Sequence, residues 1–192
     1  MALLMKSIAL GSAVLTAVLT GLYLHTPQPL LLSAAITCGT VAYHFIMRLA
    51  VGGLYDVLMH NRARLHRAWY RPHPWEERLY RRLGIHRIKG SLPTYAPALF
   101  SPRLHTWDEI AQAMCQAELV HETIAVLSFV PLLFSLRWGA FAVFLITSLL
   151  SASFDLLFVI MQRFNRPRVL RMVQREQKKN AAVLGGTQCQ DL

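Results

Sequence analysis

The sequence predicts an all-α integral membrane protein with four transmembrane helices and a cytoplasmic basic amphipathic segment between the second and third. Hydrophobic residues make up 54% of the 192 residues and charged residues only 16%, and the hydrophobic residues are concentrated in blocks. Three of the blocks are each close to the ~20 residues that a helix needs to cross a bilayer, and a fourth is shorter. The length allows one domain, so we expect residues 1–179 to form a single membrane domain.

The four predicted spans cover residues 2–24, 30–51, 115–136 and 138–161. The first has a short basic start, as a secretory signal does, but no convincing small-x-small cleavage site follows, so we interpret it as a retained span. The apolar run 123–136 is too short to cross a bilayer alone and becomes long enough when extended back to Cys115. That extension brings Glu118, His121 and Glu122 to the membrane boundary.

Positive charge alternates between the two sides of these spans. Of the 20 Lys and Arg residues, ten lie between Arg62 and Arg103 and seven between Arg163 and Lys179, whereas the turn "HTPQP" after the first span has none. The positive-inside rule therefore predicts a multi-pass membrane protein with both termini and residues 60–114 in the cytoplasm. Anionic lipid headgroups account for the net charge of +10, and we expect no nucleic-acid partner.

The cytoplasmic segment contains two predicted helices. In "WEERLYRRLGI", residues Trp75, Leu79 and Leu83 recur at four-residue steps, which favours a short interfacial helix with arginines toward lipid phosphates. The preceding "RPHP" would start that helix. Thr106, followed three residues later by Glu109, predicts a capped helix that runs into the third span. Residues 180–192 are expected to be a disordered tail.

An acid and a histidine stand one helical turn apart in "CQAELVHETIAV", at the start of the third span. Counting 1.5 Å per residue along the predicted spans brings Glu118, His121, Arg48 and Asp155 toward the same leaflet. A carboxylate that holds one imidazole nitrogen leaves the other to take a proton, so His121 is a candidate general base with Glu118 orienting it. Arg48 and Asp155 are either functional at membrane depth or paired for stability alone.

The stretch "QRFNRPR" follows the last span and combines arginines with amides. Pro167 predicts a helix break there. The arginines are explained either as positive-inside anchors or, for Arg163 and Arg166 with Gln162 and Asn165, as ligands for the phosphates of a nucleotide-bearing donor.

Three blocks resemble the glycosyl-4,4'-diaponeurosporenoate acyltransferase family, the staphyloxanthin-type membrane acyltransferases. The blocks are "WEERLYRRLGIHRIKGSLP", "CQAELVH" and "IMQRFNRPRVLRM", and the resemblance covers roughly residues 70–170. Residues that match the family pattern are Trp75, Glu76, Tyr80, Lys89, Pro93, Glu118, His121, Gln162, Arg163, Asn165, Arg166 and Pro167. The chain departs from the pattern at Ile88, Gln116 and Glu122, where the family has Trp, Arg and often an aromatic residue.

The resemblance implies transfer of a fatty acyl group from a cytosolic donor, with acyl-CoA as co-substrate, to a hydroxyl of a membrane-embedded glycolipid or similar amphiphile. His121 and Glu118 would be catalytic. Substrate-binding candidates are Arg163, Arg166, Gln162, Asn165, Trp75, Glu76, Arg48 and Asp155. Membrane lipids are the expected partners, and no bound cofactor or metal is expected. The sequence carries no signal for an oligomeric state.

Other functions stay open from the residues alone. A non-catalytic membrane subunit or lipid-binding scaffold is the main alternative, and a lipid-modifying methyltransferase or metal-dependent oxidase is a further one. The metal hypothesis rests on Glu118-x-x-His121, a half-motif of di-iron bundles that occurs once in this chain. Cys38, Cys115 and Cys189 are widely spaced, so we expect neither a disulfide nor a CxxC metal site.

Overall fold

The computed structural model describes residues 2–85 and 97–187, and within these residues the protein is helical, with no strand. The α-helices are α1 (Ala2–His25), α2 (Pro29–Met59), α3 (Pro74–Arg82), α4 (Trp107–Leu127), α5 (Pro131–Trp138) and α6 (Phe141–Thr187). Short 3₁₀ turns occupy Ala68–Tyr70 and Pro97–Phe100. The predicted all-α class is confirmed.

Four helical stretches among the described residues are long and apolar enough to cross a membrane: Ala2–His25, Pro29–Met59, Trp107–Trp138 and Phe141–Ala182. Their number and order agree with the prediction. Many of their large apolar side chains are exposed, among them Leu3, Leu10 and Leu150. Such exposure is what lipid contact requires of a membrane span.

The third stretch is interrupted, whereas the sequence predicted one continuous helix over 115–136. Helix α4 ends at Leu127 and α5 begins at Pro131. Pro131 has no N–H to donate to the Leu127 carbonyl four residues earlier. That carbonyl instead accepts hydrogen bonds from the Val130 amide at 3.1 Å and from the Tyr43 hydroxyl at 2.8 Å. The Tyr43 hydroxyl on α2 therefore gives the Leu127 carbonyl a hydrogen bond in place of the one that Pro131 cannot donate.

Helix α6 continues through Pro167, so the predicted helix break at this residue is wrong. An internal proline costs a helix roughly 3 kcal/mol or more, because it deletes a hydrogen bond and crowds the carbonyl of residue 163. Arg163 and Arg166 lie in the turn before the proline and form ion pairs with glutamates, which hold α6 on that side. The helix extends to Thr187, past residue 180, where the sequence predicted disorder to begin.

The described chain divides into two compact units. The first unit comprises Met1–Leu58 and Leu119–Val159, and the second comprises Met59–Glu118 and Ile160–Leu192. Helices α2, α4 and α6 contribute to both units. Each unit has its own buried residues and its own cluster of ionisable groups.

In the first unit α2, α4 and α6 pack against one another. Met47 and Val51 of α2 meet Ile124 of α4 in an apolar core. Tyr43 contacts residue 127 and Tyr55 contacts Thr123, so α2 and α4 run antiparallel.

The second unit builds on the first turns of α4. Ala111 and Cys115 are fully buried, and the sequence-predicted cap is present, since Thr106 and Glu109 exchange hydrogen bonds. Helix α3 starts at Pro74, as "RPHP" predicted. Its buried face carries Glu76 and Tyr80, and the Tyr80 ring meets Phe164 of α6 edge to face. These contacts position the segment that carries the second ionic cluster.

Candidate active site

The first unit contains a dyad of the partly buried His121 and the buried Asp155. Imidazole Nδ1 of His121 lies 2.9 Å from carboxylate Oδ1 of Asp155. The aspartate is 1% exposed, whereas the histidine side chain is 24% exposed. An ionised carboxylate can only accept a hydrogen bond, so Nδ1 carries the proton and the lone pair lies on Nε2. The ring stacks on Phe158 with centroids 4.7 Å apart, which restricts its rotation.

Arg48 pairs with the other oxygen of the same carboxylate. Its Nη2 forms a salt bridge with Oδ2 of Asp155 and also donates to the Ser151 hydroxyl at 2.8 Å. The Ser151 hydroxyl is in turn 2.8 Å from that of Ser128. An unpaired carboxylate would be very costly at membrane depth, so Arg48 supplies the charge partner of Asp155 and leaves Oδ1 to contact His121.

Asp155, rather than Glu118, is the carboxylate that the structure gives to His121. The sequence assigned the orienting role to Glu118 because it stands three residues before the histidine on one helix. In the structure Glu118 belongs to the second unit, where both its oxygens face arginines: Arg163 Nη1 donates to Oε1 at 2.7 Å, and Arg166 pairs with Oε2. We therefore transfer the orienting role from Glu118 to Asp155.

The second unit holds a buried quartet of two arginines and two glutamates: Glu76, Glu118, Arg163 and Arg166. Arg163 makes a bidentate contact with Glu76, with Nη2 to Oε1 at 2.6 Å and Nε to Oε2 at 3.2 Å. The side-chain exposures of the four residues range from 0% for Glu118 to 14% for Arg163. Two positive and two negative charges cancel, as buried ionic groups require.

The same arginines anchor the chain before α3. Arg163 donates to the carbonyls of Trp69 at 3.1 Å and Arg71 at 3.2 Å, and Arg166 donates to the Tyr70 carbonyl between them at 2.9 Å. The Arg166 guanidinium also lies 5.1 Å from the centroid of the Tyr70 ring, a cation–π contact. Two side chains of α6 thus bind three consecutive carbonyls, two in the 3₁₀ turn and one directly after it.

Glu76 is held as a carboxylate by its neighbours. Burial alone would raise its pKa, but hydrogen bonds from Arg163, from the Tyr80 hydroxyl at 2.7 Å and from the His73 amide outweigh burial, and the pKa of Glu76 lies below its ordinary value. Burial and the hydrogen bond to the Glu76 carboxylate raise the pKa of Tyr80. Tyr80 therefore stays protonated and remains a hydrogen-bond donor to Glu76.

The quartet leaves little room for a ligand. The cavity beside it, lined by residues that include Tyr70, Glu76, Arg163 and Arg166, has a volume of about 50 Å³. Such a space holds a few water molecules at most, whereas sites for small molecules and cofactors are ~300–1,000 Å³. A phosphate would also have to displace a carboxylate. This geometry favours a structural role for Arg163 and Arg166 over the phosphate-binding role that the sequence suggested.

The remaining predicted site residues lie around these clusters. Gln162 and Asn165 are partly buried on α6, next in sequence to the two arginines. Trp75 is 60% exposed and stacks on His73. Lys89 and Pro93 lie outside the described residues.

Sequence reasoning missed the role of two glutamines on α4. The Gln116 side-chain carbonyl accepts the Asn61 amide at 2.8 Å, and that of Gln112 accepts the Ala63 amide at 3.3 Å. Their spacing of four residues places them one turn apart on one helix, which was the available signal. Gln116, one of the departures from the family pattern, thus fixes the chain that leaves α2.

Comparison with known proteins gives one family. The family model described as glycosyl-4,4'-diaponeurosporenoate acyltransferase matches residues 66–175, which is more than half of the chain. No curated protein and no solved structure matches the chain.

Proposed function

Because the chain belongs to the glycosyl-4,4'-diaponeurosporenoate acyltransferase family, we propose that it transfers a fatty acyl group from acyl-CoA to a hydroxyl of a membrane-embedded amphiphile. The single observation that carries the site assignment is the 2.9 Å contact between His121 Nδ1 and Asp155 Oδ1. It occurs in a unit made of apolar helices, where ionisable groups are rare and mark functional sites by default.

His121 is the general base of the proposed reaction. Its Nε2 takes the proton of the acceptor hydroxyl as the oxygen attacks the thioester carbonyl. The carbon–sulfur bond of the resulting tetrahedral species then breaks, the ester forms, and the imidazolium returns the proton to the departing CoA thiolate. Asp155 holds the tautomer with Nε2 free of a proton and stabilises the imidazolium while it exists.

Arg48 is a positioning residue that acts through Asp155. Its salt bridge to Oδ2 holds the aspartate in place for His121, and its bond to Ser151 fixes the guanidinium against α6. The quartet of the second unit has a separate, structural role, since it binds the 3₁₀ turn and α3 to α4 and α6.

The proposed location is a bacterial plasma membrane with both termini and residues 60–114 in the cytoplasm. Support comes from the charge distribution, because 17 of the 20 Lys and Arg residues lie in 62–103 and 163–179. A cytosolic acyl-CoA would then approach from the basic side.

Replacement of His121 tests the proposal. Purified protein in lipid nanodiscs is given radiolabelled palmitoyl-CoA and a bacterial glycolipid extract, and acylated lipid is separated and counted. We expect His121→Gln to lower the rate by ~10²–10⁴-fold, the usual contribution of a general base. His25→Gln, at the exposed end of α1, is the matched control and should retain the wild-type rate. A His121→Gln protein that transfers acyl groups as fast as this control would refute the base assignment.

A further inference from the structure

The second unit contains an open groove that the proposed mechanism does not use. Its volume is about 500 Å³, within the ~300–1,000 Å³ of typical ligand sites. One wall is the chain after α2, with Arg64, His66 and Arg67, and the other is the first turns of α4, with Asp108 and Gln112. The groove is thus large enough for a small molecule, and five of its seven lining residues have polar or charged side chains.

Hydrogen bonds join the two walls of the groove. Gln112 Nε2 donates to the Asp108 carboxylate at 2.6 Å, and Gln112 Oε1 accepts the Ala63 amide at 3.3 Å. One amide side chain therefore joins both walls. Gln116, 3% exposed, adds the bond from the Asn61 amide one turn further along α4. These bonds fix the segment that carries the basic side chains before any ligand arrives.

The charge in the groove is not cancelled as it is in the quartet. Arg64 and Arg67 are exposed, and no acid among the described residues lies within salt-bridge distance of either guanidinium. Arg163 and Arg166, by contrast, are matched by two glutamates. Arginines with free donors are the side chains best suited to bind phosphate oxygens in pairs.

We propose that this groove binds the nucleotide part of the acyl donor, with Arg64 and Arg67 on its phosphates. The inference rests on the proposed function, in which the donor is acyl-CoA. CoA carries a diphosphate and a 3'-phosphate on one adenosine, so it offers several phosphate oxygens within a few ångströms. Asp108 supplies an acceptor for a ribose hydroxyl or the adenine amino group, neither of which free phosphate offers. The groove therefore fits a phosphorylated nucleotide better than a lone phosphate.

The test measures binding apart from catalysis. Isothermal titration of the full-length protein in phosphatidylcholine nanodiscs uses two probes, CoA and adenosine 3',5'-bisphosphate. We expect the double variant Arg64→Gln with Arg67→Gln to weaken both by about tenfold or more, which is 1.4 kcal/mol or more. The control is Arg171→Gln with Arg175→Gln, which removes the same charge from exposed positions of α6 and should change affinity less than about twofold.

Kinetics give a second readout. The groove variant should raise the KM for palmitoyl-CoA about tenfold or more while kcat stays near that of the control, because the variant removes binding contacts that are equal in the ground and transition states. Equal affinities of the groove and control variants for CoA would overturn the proposal. It would also be overturned if nanodiscs containing phosphatidylglycerol abolished CoA binding, since the groove would then hold lipid phosphate.

The experiments distinguish failure of the proposed acyl transfer from failure of the proposed CoA site. His121→Gln protein should bind CoA with wild-type affinity, since His121 is outside the groove residues. If wild-type protein binds CoA through the groove but transfers no acyl group, the proposed function is wrong and the site stands. If acyl transfer occurs and the groove variant matches the control in KM, the site is wrong and the function stands.

Discussion

Asp155→Asn would separate the stabilising role of the Arg48–Asp155 pair from its role in catalysis. The substitution keeps the size of the side chain and removes its charge, so the Arg48 guanidinium loses its salt bridge while keeping the bond to Ser151. His121 loses the anionic acceptor at Nδ1. One change therefore affects both the free energy of unfolding and the tautomer of the proposed base.

The stability loss follows from burial. Asp155 is 1% exposed and Arg48 14%. Breaking a buried ion pair by removing one partner costs ~3–5 kcal/mol, because the remaining charge is left without a partner. Arg48 keeps a hydrogen bond to the neutral Ser151 hydroxyl and is partly exposed. We therefore expect the free energy of unfolding to fall by the lower end of this range, about 3 kcal/mol, or roughly a 150-fold change in the folding equilibrium.

The assay compares the wild type, Asp155→Asn and a double variant in two measurements. Equilibrium unfolding in dodecyl sulfate is monitored by circular dichroism, and acyl transfer is measured as above. Arg48→Met combined with Asp155→Asn removes both charges, and since neutral replacement of a buried pair is often tolerated, it should regain most of the stability that Asp155→Asn loses. Acyl transfer should stay low in this double variant, because His121 still lacks its carboxylate. A double variant no more stable than Asp155→Asn would refute the charge-pairing argument, and wild-type transfer by either would refute the orienting role.

Two further predictions concern the quartet, with Glu77→Gln on the exposed side of α3 as the control for both. Glu118→Gln should cost about 3–5 kcal/mol in the same unfolding assay, because Arg163 and Arg166 each lose a buried partner, whereas the control should stay within about 0.5 kcal/mol. Glu76 has a lowered pKa, so its contribution is complete above the ordinary value of 4.5 and is lost as the pH falls through the lower folded value. Stability of the wild type should accordingly fall with acid more steeply below pH 4.5 than that of Glu76→Gln, and parallel curves would contradict this.

The sequence predicted the elements that depend on local physics. Apolar runs of sufficient length located the four spans, the proline at the start of α3 located its first turn, and the pair Thr106 and Glu109 located the cap of α4. Each of these signals lies within a few residues of the feature that it predicts. Pairing of Arg48 with Asp155, one of the alternatives that the sequence left open, is present, because two opposite charges at membrane depth have few other partners.

The sequence did not predict which residues the ionisable side chains pair with. Spacing predicted that Glu118 and His121 share a helix face, but each finds its partner on α6, 45 residues away for Arg163 and 34 for Asp155. Such pairings depend on how helices pack, which no local pattern encodes. The outcome at Pro167 also depends on distant residues. The tendency of the proline to break α6 is opposed by contacts that residues far away in the sequence make with its neighbours.

The quartet also imposes an order on biosynthesis. Both glutamates leave the ribosome before either arginine, and 45 residues separate Glu118 from Arg163. At ~5–20 residues per second, synthesis of that stretch takes roughly 2–9 s. Throughout this interval the nascent chain carries two carboxylates that cannot yet be neutralised by their native partners. The second unit therefore closes only after the last helix has emerged, and a chain truncated before Arg163 cannot complete it.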